Sequence, residues 1–384
     1  MPRALYIHWP FCLKKCPYCD FNSHVRDSVD VALWQSALIA DMRYEAEEAG
    51  GGPLESIFFG GGTPSLMPPA LVAALLAEAE KLWGFAPGIE ITLEGNPSSV
   101  EADNYAALAS AGVNRVSLGL QSLDDDALQF LGRLHSVAEG LAALYVAQQQ
   151  FKRVSFDLIY ALPGQTEKAW ESELSRAISF GTGHLSLYQL TIEPGTRFAT
   201  MVRAQQFMPL DDDTCADLFS LTRKMTAAAG IPAYEISNHA RPGEQSRHNL
   251  AYWQYKDTLG VGPGAHARRG GVAVVRHKKP ENWLESVASQ GHGIAQARRL
   301  GTREMASEAM LMGLRLAEGV ELSGLARRFG LTASDMVDGD KINFYARKGL
   351  VWQDRGLLGV TEAGMPLLDG LLGELVRTEL LAAQ

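Results

Sequence analysis

The sequence predicts an α/β protein: a parallel sheet built from six β/α units, followed by a small, mainly helical domain with a winged-helix-like end. Three observations carry this reading. Short, nearly continuous apolar runs alternate with longer helical patterns through the first half of the chain, as strands covered on both faces and their crossover helices require. The chemically distinctive residues (cysteines, a glycine run, lone carboxylates) fall just after those runs, where open parallel sheets and barrels gather their sites. From about Asp211 the alternation stops. The length of 384 residues suits two domains, although an α/β barrel alone can reach about 250 residues.

Taken in order, Ala4–Trp9 reads as the first strand and Val31–Ala49 as an amphipathic helix. Glu55–Phe59 is a buried strand ending in Gly60, followed by a helix over Pro69–Trp83. Ile89–Glu94 with Glu101–Ala111 makes the third unit. Arg115–Leu120, with helical patterns at Asp124–Leu131 and Val137–Gln150, makes the fourth. Arg153–Tyr160 with Glu167–Ser179 is the fifth, and His184–Thr191 is the sixth strand. An open partial barrel and a doubly wound sheet both satisfy this period. A helix (Asp213–Ala229) and a strand (Ala233–Ser237) come next, and His239–Arg269, dense in His, aromatics and Gly, reads as irregular. Helical patterns follow at Glu304–Ala317, Leu322–Phe329, Ala333–Val337 and Lys341–Lys348, then a hairpin over Leu350–Val360 and a last helix from Thr361. The expected division is 1–238 for the β/α units, 239–298 for a connecting segment and 299–384 for the helical domain. Ala295–Gly301 and Gly319 are the expected joints.

The net charge is −9 and no Lys/Arg run exceeds a pair, which argues against a nucleic-acid surface. No stretch approaches the ~18 uninterrupted apolar residues of a membrane span. The N-terminus carries an early charge and no small-residue cleavage site, so a cytoplasmic protein is expected, with peripheral docking at a membrane left open. Of four cysteines, three lie within eight residues, which points to metal or cluster ligation rather than disulfides. Cys215 stands alone in a helical pattern and reads as a small core or surface residue.

Cys12, Cys16 and Cys19 form a CxxxCxxC loop after the first strand. Close spacing lets one loop wrap thiolates around an iron–sulfur cubane and leaves one iron open to a ligand. A zinc site completed by His8 or His24 is the alternative. The Gly60–Pro64 run allows close backbone approach to a ligand. Glu94, Arg133 and Asp157 each also have an ordinary reading, as a helix cap, a solvated helix residue and a strand-end residue.

Cysteine loop, glycine run and β/α order together resemble the radical S-adenosylmethionine (SAM) superfamily. That resemblance implies a partial (β/α)6 barrel with a [4Fe–4S] cluster and S-adenosylmethionine. More narrowly, Tyr6–Cys19, GGGTPS, EGNP, NRVSLGLQS, LGRLH, DLIYALPGQT, HLSLYQL and LMGLRLAEGV resemble the oxygen-independent coproporphyrinogen oxidase family along most of the chain. The resemblance implies that Cys12, Cys16 and Cys19 ligate the cluster. It also implies that Tyr6, Gly61, Gly62, Thr63, Glu94, Gln121, Arg133 and Asp157 contact the cofactor.

Two features depart from the oxidase. Phe21 stands where that enzyme has a fourth cysteine, and the first cysteine is already residue 12. The string His248-Asn249-Leu250-Ala251-Tyr252-Trp253, followed by LGVGPGAHA (259–267), resembles the heme-chaperone branch of the family. Imidazole can ligate heme iron, and Tyr and Trp offer flat faces to a porphyrin. His8, His239 and His266 rank beside His248 as ligand candidates. The resemblance thus implies that His248, Asn249, Tyr252 and Trp253 belong to a heme region, and that the protein delivers heme to respiratory heme proteins. The alternative is coproporphyrinogen III dehydrogenase, which decarboxylates two propionates oxidatively. A homodimer is left open.

Overall fold

The structure, a computed structural model, describes residues 3–98, 102 and 104–377. Strand β1 (Arg3–Trp9) runs into the cysteine loop and then helix α1 (Val31–Ala49), capped by the Asp30 carboxylate, which accepts from the Leu33 N–H. There follow β2 (Leu54–Gly61), α2 (Pro69–Trp83), β3 (Phe85–Gly95), α3 (Tyr105–Ser110), β4 (Arg115–Gln121), α4 (Asp125–Phe130), α5 (Val137–Gln150), β5 (Arg153–Tyr160), α6 (Glu167–Ser179) and β6 (His184–Gln189). Ser136 and Glu139 form a reciprocal capping box that starts α5. The helix expected from Glu101 begins outside the described residues. All six strands are parallel, each beside the next in sequence. Their apolar residues, among them Leu5, Ile7, Phe59, Leu93, Val116 and Phe156, are fully buried in one core.

The region after β6 differs from the sequence expectation. Helices α7 (Arg197–Arg203) and α8 (Asp212–Ala228) precede a strand, β7, that lies at Asn238–Ala240 rather than Ala233–Ser237, antiparallel to β6. The stretch expected to be irregular holds helix α9 (Arg247–Trp253), β8 (Thr258–Val261) and β9 (His266–Arg269). With β10 (Val272–Arg276), α10 (Pro280–Gln290) and β11 (Ile294–Arg299) it extends the same sheet. The full order is β11-β10-β9-β8-β1-β2-β3-β4-β5-β6-β7. Strand β8 pairs parallel to β1, so β1 is flanked by parallel neighbours on both sides.

What holds this extension is buried charge. Asp41 and Glu45 on α1 receive the Arg276 guanidinium at 2.7 and 2.9 Å, and Glu45 also receives Arg269 at 2.9 Å. Asp41 further accepts the N–H groups of Gly262 and Gly293 and the Trp283 indole. Asp41, Glu45 and Arg276 are fully buried.

The C-terminal domain follows with α11 (Thr302–Gly313), β12 (Val320–Glu321), α12 (Leu322–Phe329), α13 (Ala333–Met336), α14 (Gly339–Arg347), β13 (Val351–Asp354), β14 (Leu357–Val360) and α15 (Leu368–Leu375). Its three-stranded sheet, ordered β12-β14-β13, and the helices before it form the expected winged-helix-like end around a separate core. The last helix starts at Leu368 rather than Thr361, after a short 3-10 turn that contains Pro366. No helix among the described residues is long and apolar enough to cross a membrane.

Replacing Asp41 by Ala leaves the buried Arg276 with only Glu45, which Arg269 also claims, and should cost about 3–5 kcal/mol. Chemical denaturation of the cofactor-free protein measures this, and a loss within about 0.5 kcal/mol, the range of an ordinary surface change, would contradict the role given to the pair.

Candidate cofactor-binding site

Parallel strands end on one rim, and there the structure gathers the predicted residues. Cys12, Cys16, Cys19, Gly61, Gly62, Thr63, Glu94, Gln121, Arg133 and Asp157 line a single cleft. All three thiols are free and half-buried. Backbone geometry packs the loop onto the glycine turn: the Gly62 N–H donates to Trp9 O at 2.7 Å and the Thr63 N–H to Phe11 O at 2.8 Å. A Cβ at Gly62 would lie 2.6 Å from Phe11 O, so only glycine allows this approach.

Each sulfur has protein donors beside it. Thr63 Oγ1 donates to Cys12 at 3.4 Å, Arg133 Nη1 donates to Cys16 at 3.5 Å, and Ser23 Oγ lies 3.8 Å from Cys19. Burial pushes the Cys12 and Cys19 thiols above their ordinary range. Thiols so placed ionise readily only beside a cation, such as a metal centre. These donors and the shared cleft suit an iron–sulfur cluster. No three His, Cys, Asp or Glu side chains among the described residues are placed to hold a single metal ion. His8, a candidate zinc ligand, has both ring nitrogens engaged, by Tyr6 Oη at 3.0 Å and Asn22 O at 2.9 Å. His24 lies against Asn22 Oδ1 at 3.2 Å.

Deeper in the cleft stand two carboxyls. Burial, then the nearby Asp157 charge, raises Glu94 to about 8, against which the Gly61 N–H and Arg115 act. Burial raises Asp157 to about 6, opposed by the hydroxyls of Ser186 and Ser117. Arg115, almost wholly buried, bonds Thr92 Oγ1 at 3.5 Å. Opposite them, Arg133 is fixed by Asn96 Oδ1 at 2.5 Å and Gly119 O at 2.8 Å, while its Nε has no partner. Gln121 adopts a left-handed backbone (φ 68), unusual for a non-glycine residue, at the bend where β4 enters the cleft. The cleft thus offers acids, a fixed guanidinium and exposed backbone to a zwitterionic ligand. Asn96, which bonds Thr63 at 3.1 Å as well as Arg133, was not singled out from sequence, although it sits in the EGNP string. Neither was Tyr18, between two of the cysteines.

Tyr6 and the HNxxYW residues lie elsewhere. The Tyr6 ring is stacked 6.2 Å from Phe58, below the cleft. Helix α9 lies toward the other end of the strands: Arg247 donates to Gly88 O and the His248 N–H to Glu90, both ahead of the cleft-facing Glu94 on β3. His248 stacks on Phe58 at 4.9 Å and its Nδ1 is buried without a partner. Asn249 lies beside Tyr234, whose hydroxyl bonds His184 at 3.0 Å. Tyr252 is exposed and packs edge-on against Trp253. Trp253 lines a groove of about 430 Å³ facing α11 and α12. Of the other candidate heme ligands, His8 and His239 are buried and hydrogen-bonded, and His266 is exposed.

Fold and site together define a radical SAM protein. Residues 6–177 match the Radical SAM superfamily and residues 301–367 the HemN C-terminal domain. The chain is 37% identical over 391 residues to the heme chaperone HemW of Haemophilus influenzae, covering 98% of each. It is 39% identical over 380 residues to the mitochondrial radical S-adenosyl methionine domain-containing protein 1 of Mus musculus, covering 96% of this chain and 86% of that one. The chain belongs to the coproporphyrinogen-oxidase-like family that includes the HemW heme chaperones. The solved coproporphyrinogen III oxidase (HemN) of Escherichia coli shares the fold, with a TM-score of 0.81 over 97% of this chain and 89% of that chain at 23% identity.

The raised Glu94 carboxyl has a measurable consequence. Its ordinary value is 4.5 and its folded value about 8, so its contribution to stability is full below 4.5 and is lost as pH rises through 8. Glu94→Gln cannot ionise. The cofactor-free variant should melt higher than wild type at pH 8 and not at pH 4. An equal gain at both values would contradict the assignment to charge.

Proposed function

We propose that this chain is a heme chaperone: it binds heme and delivers it to heme-accepting respiratory proteins, and carries a [4Fe–4S] cluster and S-adenosylmethionine in the strand-end cleft. Cys12, Cys16 and Cys19 would hold the cluster. Glu94 and Asp157 are suited to a cationic amino group or ribose hydroxyls, Arg133 to a carboxylate, and Gly61, Gly62, Thr63 and Gln121 to backbone and polar contact. Tyr6 supports the floor through His8. Bound together, cluster and S-adenosylmethionine supply one-electron radical chemistry.

The observation that carries the chaperone reading is the separation of two sites on one barrel. The cysteine loop lies at the C-terminal end of the strands, and α9, with Tyr252 exposed and Trp253 half-buried in the groove beside it, toward the N-terminal end. A porphyrin held by those aromatics sits away from the place where radical chemistry would arise, which suits carriage rather than conversion. Phe21, exposed at the cleft mouth, replaces the further thiol of the oxidase pattern. The end-to-end similarity to HemW supports the same reading. We infer a cytoplasmic location with peripheral docking to membrane-bound acceptors, or the mitochondrion where the host has one, as the name of the Mus musculus relative states for that protein.

Heme titration of the anaerobically reconstituted protein tests it. Wild type should bind heme and pass it to a respiratory acceptor. The double variant Tyr252→Ala, Trp253→Ala should bind about thirtyfold more weakly with an unchanged cluster spectrum, since each aromatic contact is worth about 1 kcal/mol. Wild-type affinity in the variant would place the porphyrin elsewhere. Conversion of coproporphyrinogen to protoporphyrinogen would replace the chaperone reading with the dehydrogenase.

A further inference from the structure

The 259–267 string has no part in the cleft lining, yet it touches the cysteine loop. Its glycine turn, residues 262–264, sits at the end of β8, on the side of β1 opposite the 60–64 turn. Asn22, three residues beyond Cys19, is caught against it. Asn22 Nδ2 donates to Pro263 O at 2.9 Å and to Lys278 O at 2.9 Å. The Asn22 carbonyl accepts from His8 Nε2 at 2.9 Å. Gly264, at φ +76, leaves no room for a side chain: a Cβ there would lie 2.5 Å from Asn22 Nδ2. The turn is anchored in its own right, because the Gly262 N–H donates to Asp41, the acid buried against Arg276.

The two neighbours of Asn22 are the groups that face Cys19. Ser23 Oγ lies 3.8 Å from its sulfur, and the Phe21 N–H faces the same thiol and works against the rise that burial causes. The entry of the loop is fixed by the 60–64 turn, as described above, and the exit by the 262–264 turn.

We propose that Asn22 is a positioning residue: locked by the 262–264 turn and the Lys278 carbonyl, it aims the Phe21 N–H and the Ser23 hydroxyl at Cys19, and so sets the reduction potential and retention of the cluster. This rests on the reading that the three cysteines hold a cluster. Hydrogen bonds to cluster sulfurs stabilise the more electron-rich, reduced state and raise the potential. A loop fixed before the cluster arrives also loses less freedom on ligating it.

The test uses the full chain with reconstituted cluster, as wild type, Asn22→Ala and Gly264→Ala. The first variant removes both side-chain donors and the second displaces Asn22 from the opposite side. Both should show a more negative cluster potential in an electron paramagnetic resonance titration. Both should lose iron to a chelator about tenfold faster, the effect of two modest hydrogen bonds. Hydrogen exchange over residues 20–25 should quicken in the cofactor-free variants as well. A wild-type chain that takes up no iron and sulfide overturns the functional reading and this inference together. A wild-type cluster, with potential and loss rate unchanged in both variants, overturns this inference alone.

Discussion

Tyr6 pairs with Phe58, Phe58 with Thr92, Leu93 with Val116, Val116 with Val154 and Asp157 with Ser186, all in parallel, with shifts of register only at Arg3/Ala4, Leu54/Ser56 and Leu118/Gln121. That register decides where every group in the cleft stands. Because alternate residues of a strand face opposite sides, a slip of one position would turn Glu94 or Asp157 away from the cleft and into the helical layer. The apolar residues between them prevent the slip, since the same shift would expose Leu93, Phe156 and Leu158, all fully buried. The core thus holds the chemistry in place at a distance.

Within the cleft, charge is arranged in tension. Glu94 and Asp157 are close enough for the Asp157 charge to oppose ionisation of Glu94, and Arg115 below relieves only part of this. Arg133 and the hydroxyl of Thr63 stand beside two of the sulfurs. A cationic group placed against the acids, with a carboxylate toward Arg133, would satisfy both sides at once. On the proposed reading, the donor set would suit a zwitterionic ligand by electrostatics as much as by shape. At the far end of the strands the surface is of another kind, an exposed tyrosine and a tryptophan beside a groove.

The β/α units were legible because their strands are continuous apolar runs, and the strand-end motifs were legible because cysteines, glycines and lone acids interrupt those runs. The extension of the sheet was not. Strands β9 to β11 carry Arg268, Arg269, Arg276, Arg298 and Arg299, which read as surface. Arg276 and Arg269 are buried only because Asp41 and Glu45, more than two hundred residues earlier, receive them. Strand β8 is four residues long with a glycine inside, a pattern that reads as loop. The position of α9 was equally hidden, since long-range bonds to Gly88 and Glu90 place it and HNxxYW contains no trace of them. Asn22 shows the same limit: its side-chain amide donates to two distant backbone carbonyls, which carry no sequence signature.

The central claim is that three neighbouring thiolates hold a cubane with one iron left for a small chelating ligand. Metal and acid-labile sulfide analysis of anaerobically isolated protein, paired with electron paramagnetic resonance of the reduced sample before and after S-adenosylmethionine, addresses it most directly. The account predicts about four irons and four sulfides per chain and a signal that changes when the ligand is added. Zinc at about one per chain with no sulfide, or a cluster signal indifferent to S-adenosylmethionine, would contradict it.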